Sequence, residues 1–436
     1  MKRTLHPLRK YPGPILGHAT HLTWQIQSYR GRFLMWLHEL HQQYGPVVRY
    51  GPNYLSSIDL KTWKEVYGHG VPQWQKDPNL LGSDPFGEPV GIMRADDISH
   101  ARQRKLVAHA FSDKTLREQE GIVKGYVALL VDKIRQDAVK NNGKVDLVAW
   151  FNFATFDIMA DLTFGESLHQ LAGSMYSPWV KSIFSYIKAF QLIGLTTQWP
   201  LLTKLLLLFI PAKLMKERAD VFRFATEKVE GRLKKRKVKR TETTATLLSG
   251  LFYYLLCDKK RYERLVKDIR GAFPTYEDVE MSRLAEQKFL QACIDEALRL
   301  YPPVATGSPR QTPKGGARFG KDFVPDGTKV QVSTYAAYHS ALNFKNPDSF
   351  IPGRWLPECQ AEYISDKRDV VQPFSYGPRN CLGKNLAYHE MRFIAASIPW
   401  HYDVELCPES ENWLDHPVYF LWDKPPLVVR LRPVER

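Results

Sequence analysis

Phe374-Ser375-Tyr376-Gly377-Pro378-Arg379-Asn380-Cys381-Leu382-Gly383 sets a single cysteine directly ahead of an apolar run, Leu386 to Ile398, that repeats at helical spacing. Two glycines, Gly377 and Gly383, flank the cysteine where a tight loop needs φ > 0 or a close approach to a flat ligand. Arg379 stands two residues upstream and Phe374 seven. A thiolate at a helix N-terminus is stabilised by the dipole and by free N–H groups, which lowers its pKa and readies it for a soft metal. For a lone cysteine the plainer reading is a buried structural thiol at a loop–helix junction. The full pattern Phe-x-x-Gly-x-Arg-x-Cys-x-Gly outweighs that reading.

The rest of the chain reads as one large unit around this loop. It has 436 residues, and no Gly/Ser linker, low-complexity block or internal repeat divides them, so a single domain over 1–436 is expected. Lys and Arg exceed Asp and Glu to give a net charge of +15. The aromatics are not interleaved with the basic residues as in nucleic-acid modules, which leaves an acidic protein partner or an anionic membrane surface. The five cysteines are scattered, odd in number and without a Cys-x-x-Cys pair. That pattern argues for reduced thiols in a cytosol-facing protein, against zinc and against a disulfide framework. No apolar run follows Met1-Lys2-Arg3-Thr4-Leu5-His6, so neither a signal peptide nor a transmembrane anchor is expected. Leu201 to Ile210, between Pro200 and Pro211, is too short to span a bilayer. It reads first as a buried helix and second as a monotopic dip into a membrane interface.

In chain order, Arg32 to Tyr44 predicts a helix, and Val47 to Tyr50 with Tyr54 to Ile58 a hairpin turning at Gly51-Pro52-Asn53. Gly70 to Gly91 reads as a long, function-bearing loop. Asp97 opens a helix ending near Ser112 on which His100 and Arg104, four apart, share a face. Glu118 to Val139, Val145 to Leu162 and Tyr176 to Glu230 are helical by periodicity, and the stretch Phe153 to Gly165 ends at its glycine. Arg232 to Arg240 packs seven basic residues into nine and abuts Thr241-Glu242-Thr243-Thr244. Gln287 to Leu300 predicts a helix carrying Glu296 and Arg299 at i, i+3, closed by Tyr301-Pro302-Pro303. Thr328 to Thr334 alternates as a strand, and Leu427 to Leu431 reads as the last one.

The cysteine loop resembles the haem-binding loop of the cytochrome P450 monooxygenases, and the resemblance covers nearly the whole chain from His6. It is similar to the fungal secondary-metabolism members, such as the isotrichodermin C-15 hydroxylases. The resemblance implies a mainly α fold with a small β-rich subdomain and a haem b whose iron takes Cys381 as axial ligand; such a thiolate favours O–O cleavage. It implies Arg104 and Arg379, with His100 and Arg310, as partners of the haem propionates, and Phe374, Gly377 and Gly383 as the shape of the loop. His100 stands where the family usually has Trp. Glu296, Arg299 and Arg354, the last from Phe350-Ile351-Pro352-Gly353-Arg354-Trp355, match the family's structural brace. Glu242 and Thr243 match the acid–threonine half of the motif on the central helix that delivers protons to bound oxygen. Lys239 and Arg240 replace the small residues that precede it, as though a few dozen residues of that helix were cut out.

The expected activity is oxidation of an apolar small molecule with molecular oxygen. Electrons would come from NADPH through a separate cytochrome P450 reductase, since no flavin or nicotinamide fingerprint is present. The expected place is the cytosolic face of the endoplasmic reticulum, as a peripheral protein, or the cytoplasm. Two alternatives keep the haem: an isomerase or dehydratase needing no oxygen, and an inactive haem-binding remnant.

Overall fold

The computed structural model describes residues 6–69, 74–78, 91–177, 179–181, 243–359, 361–419 and 421–435, with a few positions between 199 and 223. The helices are α1 Ile15–Ala19, α2 Leu22–Tyr29, α3 Phe33–Tyr44, α4 Leu60–Tyr67, α5 Asp97–Ala108, α6 Asp113–Glu118, α7 Glu120–Lys140, α8 Leu147–Phe164 and α9 Gln170–Gly173. After the central stretch come α10 Thr243–Cys257, α11 Lys259–Ala272, α12 Met281–Ala285, α13 Lys288–Leu300, α14 Thr334–Tyr338 and α15 Lys384–His401.

The core is helical. α8 is apolar all round: Asp146 caps it by accepting from Val148 N at 2.9 Å, and Gly165 ends it with φ +76°. By length and composition α8 could cross a membrane, yet 83% of it is buried inside the protein, as befits a core helix. α10 lies against α8, α13 and α15, so the helix following Cys381 and the helix carrying Glu296 meet on the same central rod. Gly250 of α10 is required by this packing, because a Cβ there would come within 2.5 Å of the Tyr301 ring.

The sheets gather distant parts of the chain. The largest has the order β1-β2-β8-β5-β3, from Val47–Gly51, Tyr54–Ser57, Lys329–Val332, Arg310–Gln311 and Gln75–Lys76. All its pairings are antiparallel except β2 with β8. Lys144–Asp146 (β4), Tyr402–Leu406 (β9) and Val428–Pro433 (β10) form a second sheet, and Ala317–Phe319 (β6) with Asp322–Val324 (β7) a small hairpin.

The expected hairpin, the early helix and the helix ending at Gly165 are all present. Three local expectations differ. The helix expected from Glu118 breaks at Gln119, with α6 ending before it and α7 beginning after it. All four residues of β8 are buried rather than alternating, since α4 packs against a strand already flanked by β2 and β5. Leu201, Leu205 and Leu208 are 84%, 51% and 81% exposed, so these described positions of the Leu201–Ile210 stretch are not buried as its first reading expected. Most of the Gly70–Gly91 loop, the basic run 232–240 and Glu242 lie outside the described residues.

Candidate active site

The cysteine loop is shaped by its own backbone. Cys381 N donates to Phe374 O at 2.8 Å, and Asn380 N to Gly377 O at 3.1 Å, closing a 3-10 turn over Gly377–Arg379. Gly377 has φ +74°, and a Cβ there would sit 1.7 Å from Tyr67 O, so no other residue fits. Gly383 has φ −88° rather than a positive φ, a Cβ there would make only ordinary contact with protein atoms, and the residue starts α15. The Phe374 ring packs at 5.2 Å against Tyr388 on the first turns of that helix.

The Cys381 side chain is exposed at the head of α15. Desolvation by the loop raises its pKa, while the Gly383 N–H, Arg104 and Lys384 pull the other way. A bound metal cation overrides the residual penalty, because a coordinated thiol is deprotonated outright.

Beside the cysteine lies a cluster of basic groups. Arg104 reaches from α5 and donates from Nη1 to Asn380 O at 2.7 Å and from Nη2 to Asn380 Oδ1 at 2.5 Å. Arg379 donates from Nε and Nη2 to Asp97 Oδ1 at 3.0 and 2.6 Å, and from Nη2 to Ala95 O at 2.8 Å. Its Nη1 is buried with no partner among the described residues. Arg310 is buried over the Tyr67 ring at 5.2 Å, and both its Nε and Nη1 are likewise unpartnered. His100 is buried between them; burial first, then Arg379, Arg104 and Lys76, depress its pKa to about 4, so it is neutral in this setting. Asp97, His100, Ala101, Arg104, Lys105, Ala108 and Pro378 line a cavity of about 330 Å³ at this place. Guanidinium nitrogens left without acceptors in a buried site are costly unless an anion meets them.

A family model described as Cytochrome P450 matches residues 7–242 and 240–430. The chain belongs to the cytochrome P450 family. It is 38% identical to cytochrome P450 monooxygenase efuB of Hormonema carpetanum, covering 99% of this chain and 92% of that protein. It is also 38% identical to cytochrome P450 monooxygenase astA of Talaromyces wortmannii, covering 98% and 92%, and to cytochrome P450 monooxygenase FUM2 of Gibberella moniliformis, covering 98% and 97%. The chain is thus a haem-thiolate monooxygenase by family, with haem iron held by a cysteine and a redox partner that supplies electrons. The unpartnered nitrogens of Arg310 and Arg379, beside a cavity next to an exposed thiol, fit a haem with its two carboxylates.

The same comparisons bear on the central helix. The match comes in two pieces that meet at residues 240–242, where the small residues of the oxygen-side motif are missing. The alignments to efuB and FUM2 run over 468 and 462 positions, more than the 436 residues of this chain, so each relative carries residues with no counterpart here. Thr243 is half-buried at the head of α10, and Thr244 is fully buried with its Oγ1 unpartnered among the described residues.

The brace is complete and larger than expected. Glu296 accepts from Arg299 Nε and Nη2 at 2.9 and 2.8 Å, Arg354 Nε at 3.0 Å, Trp355 Nε1 at 2.8 Å and Ile351 N at 2.9 Å. Burial raises its pKa, but Arg299 and Arg354 outweigh that and hold it below the ordinary value. Arg299 also donates to Tyr338 O and Pro347 O, and Arg354 to Asp366. Asp366 makes the group two arginines with two carboxylates; nothing in its local sequence singled it out, because its partners lie 12 residues and more away. Next to Glu296, Asp295 accepts from Tyr388 OH at 3.0 Å, which ties this helix to the one that follows the cysteine.

Proposed function

We propose that Cys381 is the axial ligand of the haem iron and that the enzyme oxidises an apolar small molecule of fungal secondary metabolism. The observation that carries this is the joint placement of an exposed thiol at the head of α15 and, beside it, buried nitrogens of Arg310 and Arg379 with no acceptor among the described residues. When bound, the haem supplies activation of molecular oxygen and insertion of one oxygen atom into the substrate. The protein's own part is to hold that group and manage its surroundings. Arg310, Arg379 and Arg104 orient its carboxylates, neutral His100 packs among them, and the Gly377–Arg379 turn presents the sulfur. The hydroxyl of Thr243 with the carboxylate of Glu242 holds water and passes protons toward the reacting oxygen. Thr244, adjacent and buried, adds a second hydroxyl without a partner among the described residues.

The electron donor in this reading is an NADPH-dependent reductase with an acidic docking face, suited to a chain of net charge +15. A peripheral contact with the cytosolic face of the endoplasmic reticulum is supported by exposed Leu22, Ile26 and Tyr29, spaced i, i+4, i+7 on α2. Trp199 Nε1 donates to Gln25 Oε1 at 3.2 Å, which brings the exposed leucines 201, 205 and 208 into the same region. The test is oxygen consumption by purified protein with NADPH and reductase over a panel of apolar metabolites, with product identified by mass. The break at 240–242 favours a second reading, a haem pocket that performs no oxygen chemistry. Haem-loaded protein that, with NADPH and reductase, consumes no oxygen above the rate of the reductase alone under every condition supports that reading and contradicts the first.

A further inference from the structure

Four side chains on α13 and α15 close into a ring. Gln291 and Asp295 are four apart on α13, and Tyr388 and Arg392 four apart on α15, so each helix offers a pair on one face. The two faces meet. Tyr388 OH donates to Asp295 Oδ1 at 3.0 Å, and Gln291 Nε2 donates to the same oxygen at 2.9 Å. Arg392 donates from Nε and Nη2 to Gln291 Oε1 at 2.9 and 2.6 Å, and its guanidinium stands over the Tyr388 ring at 5.3 Å. Hydroxyl and ring are thus held separately, which fixes the phenol in both position and rotation.

The arrangement costs something that plain packing does not require. Burial raises the pKa of Asp295 against the pull of Gln291, Tyr388, Arg392 and Lys384. Burial and then that carboxylate hold the Tyr388 pKa well above its ordinary value, so its hydroxyl stays a donor. A phenylalanine would fill the same space without drawing a carboxylate out of water. What the ring touches supplies the reason. The Phe374 ring lies 5.2 Å away, tilted by 45°, and Phe374 O accepts the Cys381 N–H at 2.8 Å. An unbroken line of contacts therefore leads from the Asp295 carboxylate to the main chain of Cys381: a hydrogen bond to Tyr388, a ring against a ring, and a carbonyl bonded to the cysteine N–H.

We propose that Tyr388, mounted on Asp295, is a positioning residue for the axial thiolate: through Phe374 it sets where the Cys381 sulfur points. This role rests on the haem-thiolate reading of Cys381 and adds to it a residue outside the loop. α13 then supports the loop twice, through Glu296 in the brace and through its neighbour Asp295 here.

The test compares holoenzyme as wild type, Tyr388→Phe, Tyr388→Leu, Phe374→Leu and the Phe374→Leu/Tyr388→Leu double variant. The readouts are the iron–sulfur stretch in the resonance Raman spectrum and the reduction midpoint potential of the iron. A general loss of stability moves neither in protein that keeps its haem. Tyr388→Leu is expected to shift both in the direction that Phe374→Leu does, and Tyr388→Phe to shift them less. The double variant is expected to match Phe374→Leu alone, because Tyr388 has then lost the residue it acts through. A wild-type stretch in Tyr388→Leu overturns the proposal. So does a double variant whose shift is the sum of the two single ones, since Tyr388 would then act independently of Phe374. If Tyr388→Leu loads no haem, the milder Tyr388→Phe decides: a stretch and a potential both identical to wild type overturn the proposal. The reduced carbon monoxide spectrum of the wild type, taken alongside, separates failure of this role from failure of the Cys381 assignment.

Discussion

Replacing Glu296 by Gln keeps the shape of the side chain and removes its charge. In the folded protein Glu296 is fully buried and receives five donors from four residues. A glutamine amide offers one acceptor oxygen and turns an NH2 toward groups that can only donate, so at least one arm of the brace becomes repulsive. Arg354 keeps the carboxylate of Asp366, while Arg299, equally buried, is left with the carbonyls of Tyr338, Pro347 and Ser349 and no counter-charge in contact. Breaking a buried pair by removing one partner costs about 3–5 kcal/mol, because an uncompensated charge stays behind. The pH dependence follows from the depressed pKa of Glu296: its stabilisation is fully present above the unfolded value of about 4.3 and is lost as pH falls through the lower folded value. The deficit of Glu296→Gln should therefore be constant from pH 6 to 8. Guanidinium unfolding followed by far-UV circular dichroism, with haem content measured in parallel, gives the number. Because Asp295 and Tyr388 link this helix to α15, haem retention should fall with stability. A deficit under 1 kcal/mol at pH 7 refutes the claim that the brace supports the cysteine loop.

Three other outcomes follow from the geometry. Gly377→Ala should yield folded protein with little or no haem, read from the ratio of Soret to protein absorbance, because the added methyl cannot coexist with Tyr67 O. Thr243→Val should lower the fraction of NADPH electrons recovered in product and raise peroxide release, whereas Thr244→Val should change the unfolding free energy by no more than about 1 kcal/mol, since its hydroxyl has no partner to lose among the described residues. His41, whose pKa burial depresses to about 4, binds its proton more readily when unfolded, so stability should fall as pH drops from about 6.5 toward 4. His41→Gln should flatten that part of the pH–stability curve.

Much of this was legible in the sequence because it is encoded locally. Glu296 and Arg299 are one helical turn apart, and α5 presents His100 and Arg104 on one face. Gly165 ends α8 by its own φ preference. What was not legible depends on partners far along the chain. Asp366 joins the brace through a loop return, and Lys76 meets Arg310 across 234 positions by a pairing of two-residue strands too short to show a pattern. Asn380 and Asp97 occupy Arg104 and Arg379, so two of the expected propionate ligands already have protein acceptors, while Arg310, the one with least sequence support, is the freest of the three. The φ of Gly383 was not legible for a different reason: a glycine next to a turn can be there for space or for a helix start, and the pattern alone does not distinguish φ values.

The central claim, that Cys381 holds haem iron as a thiolate, is tested most directly by the reduced, carbon monoxide-bound spectrum of the purified protein and its Cys381→Ala variant. The wild type is expected to show the long-wavelength Soret band typical of thiolate ligation, and the variant to lose it. The same band in Cys381→Ala, or its absence from haem-loaded wild type, would contradict it.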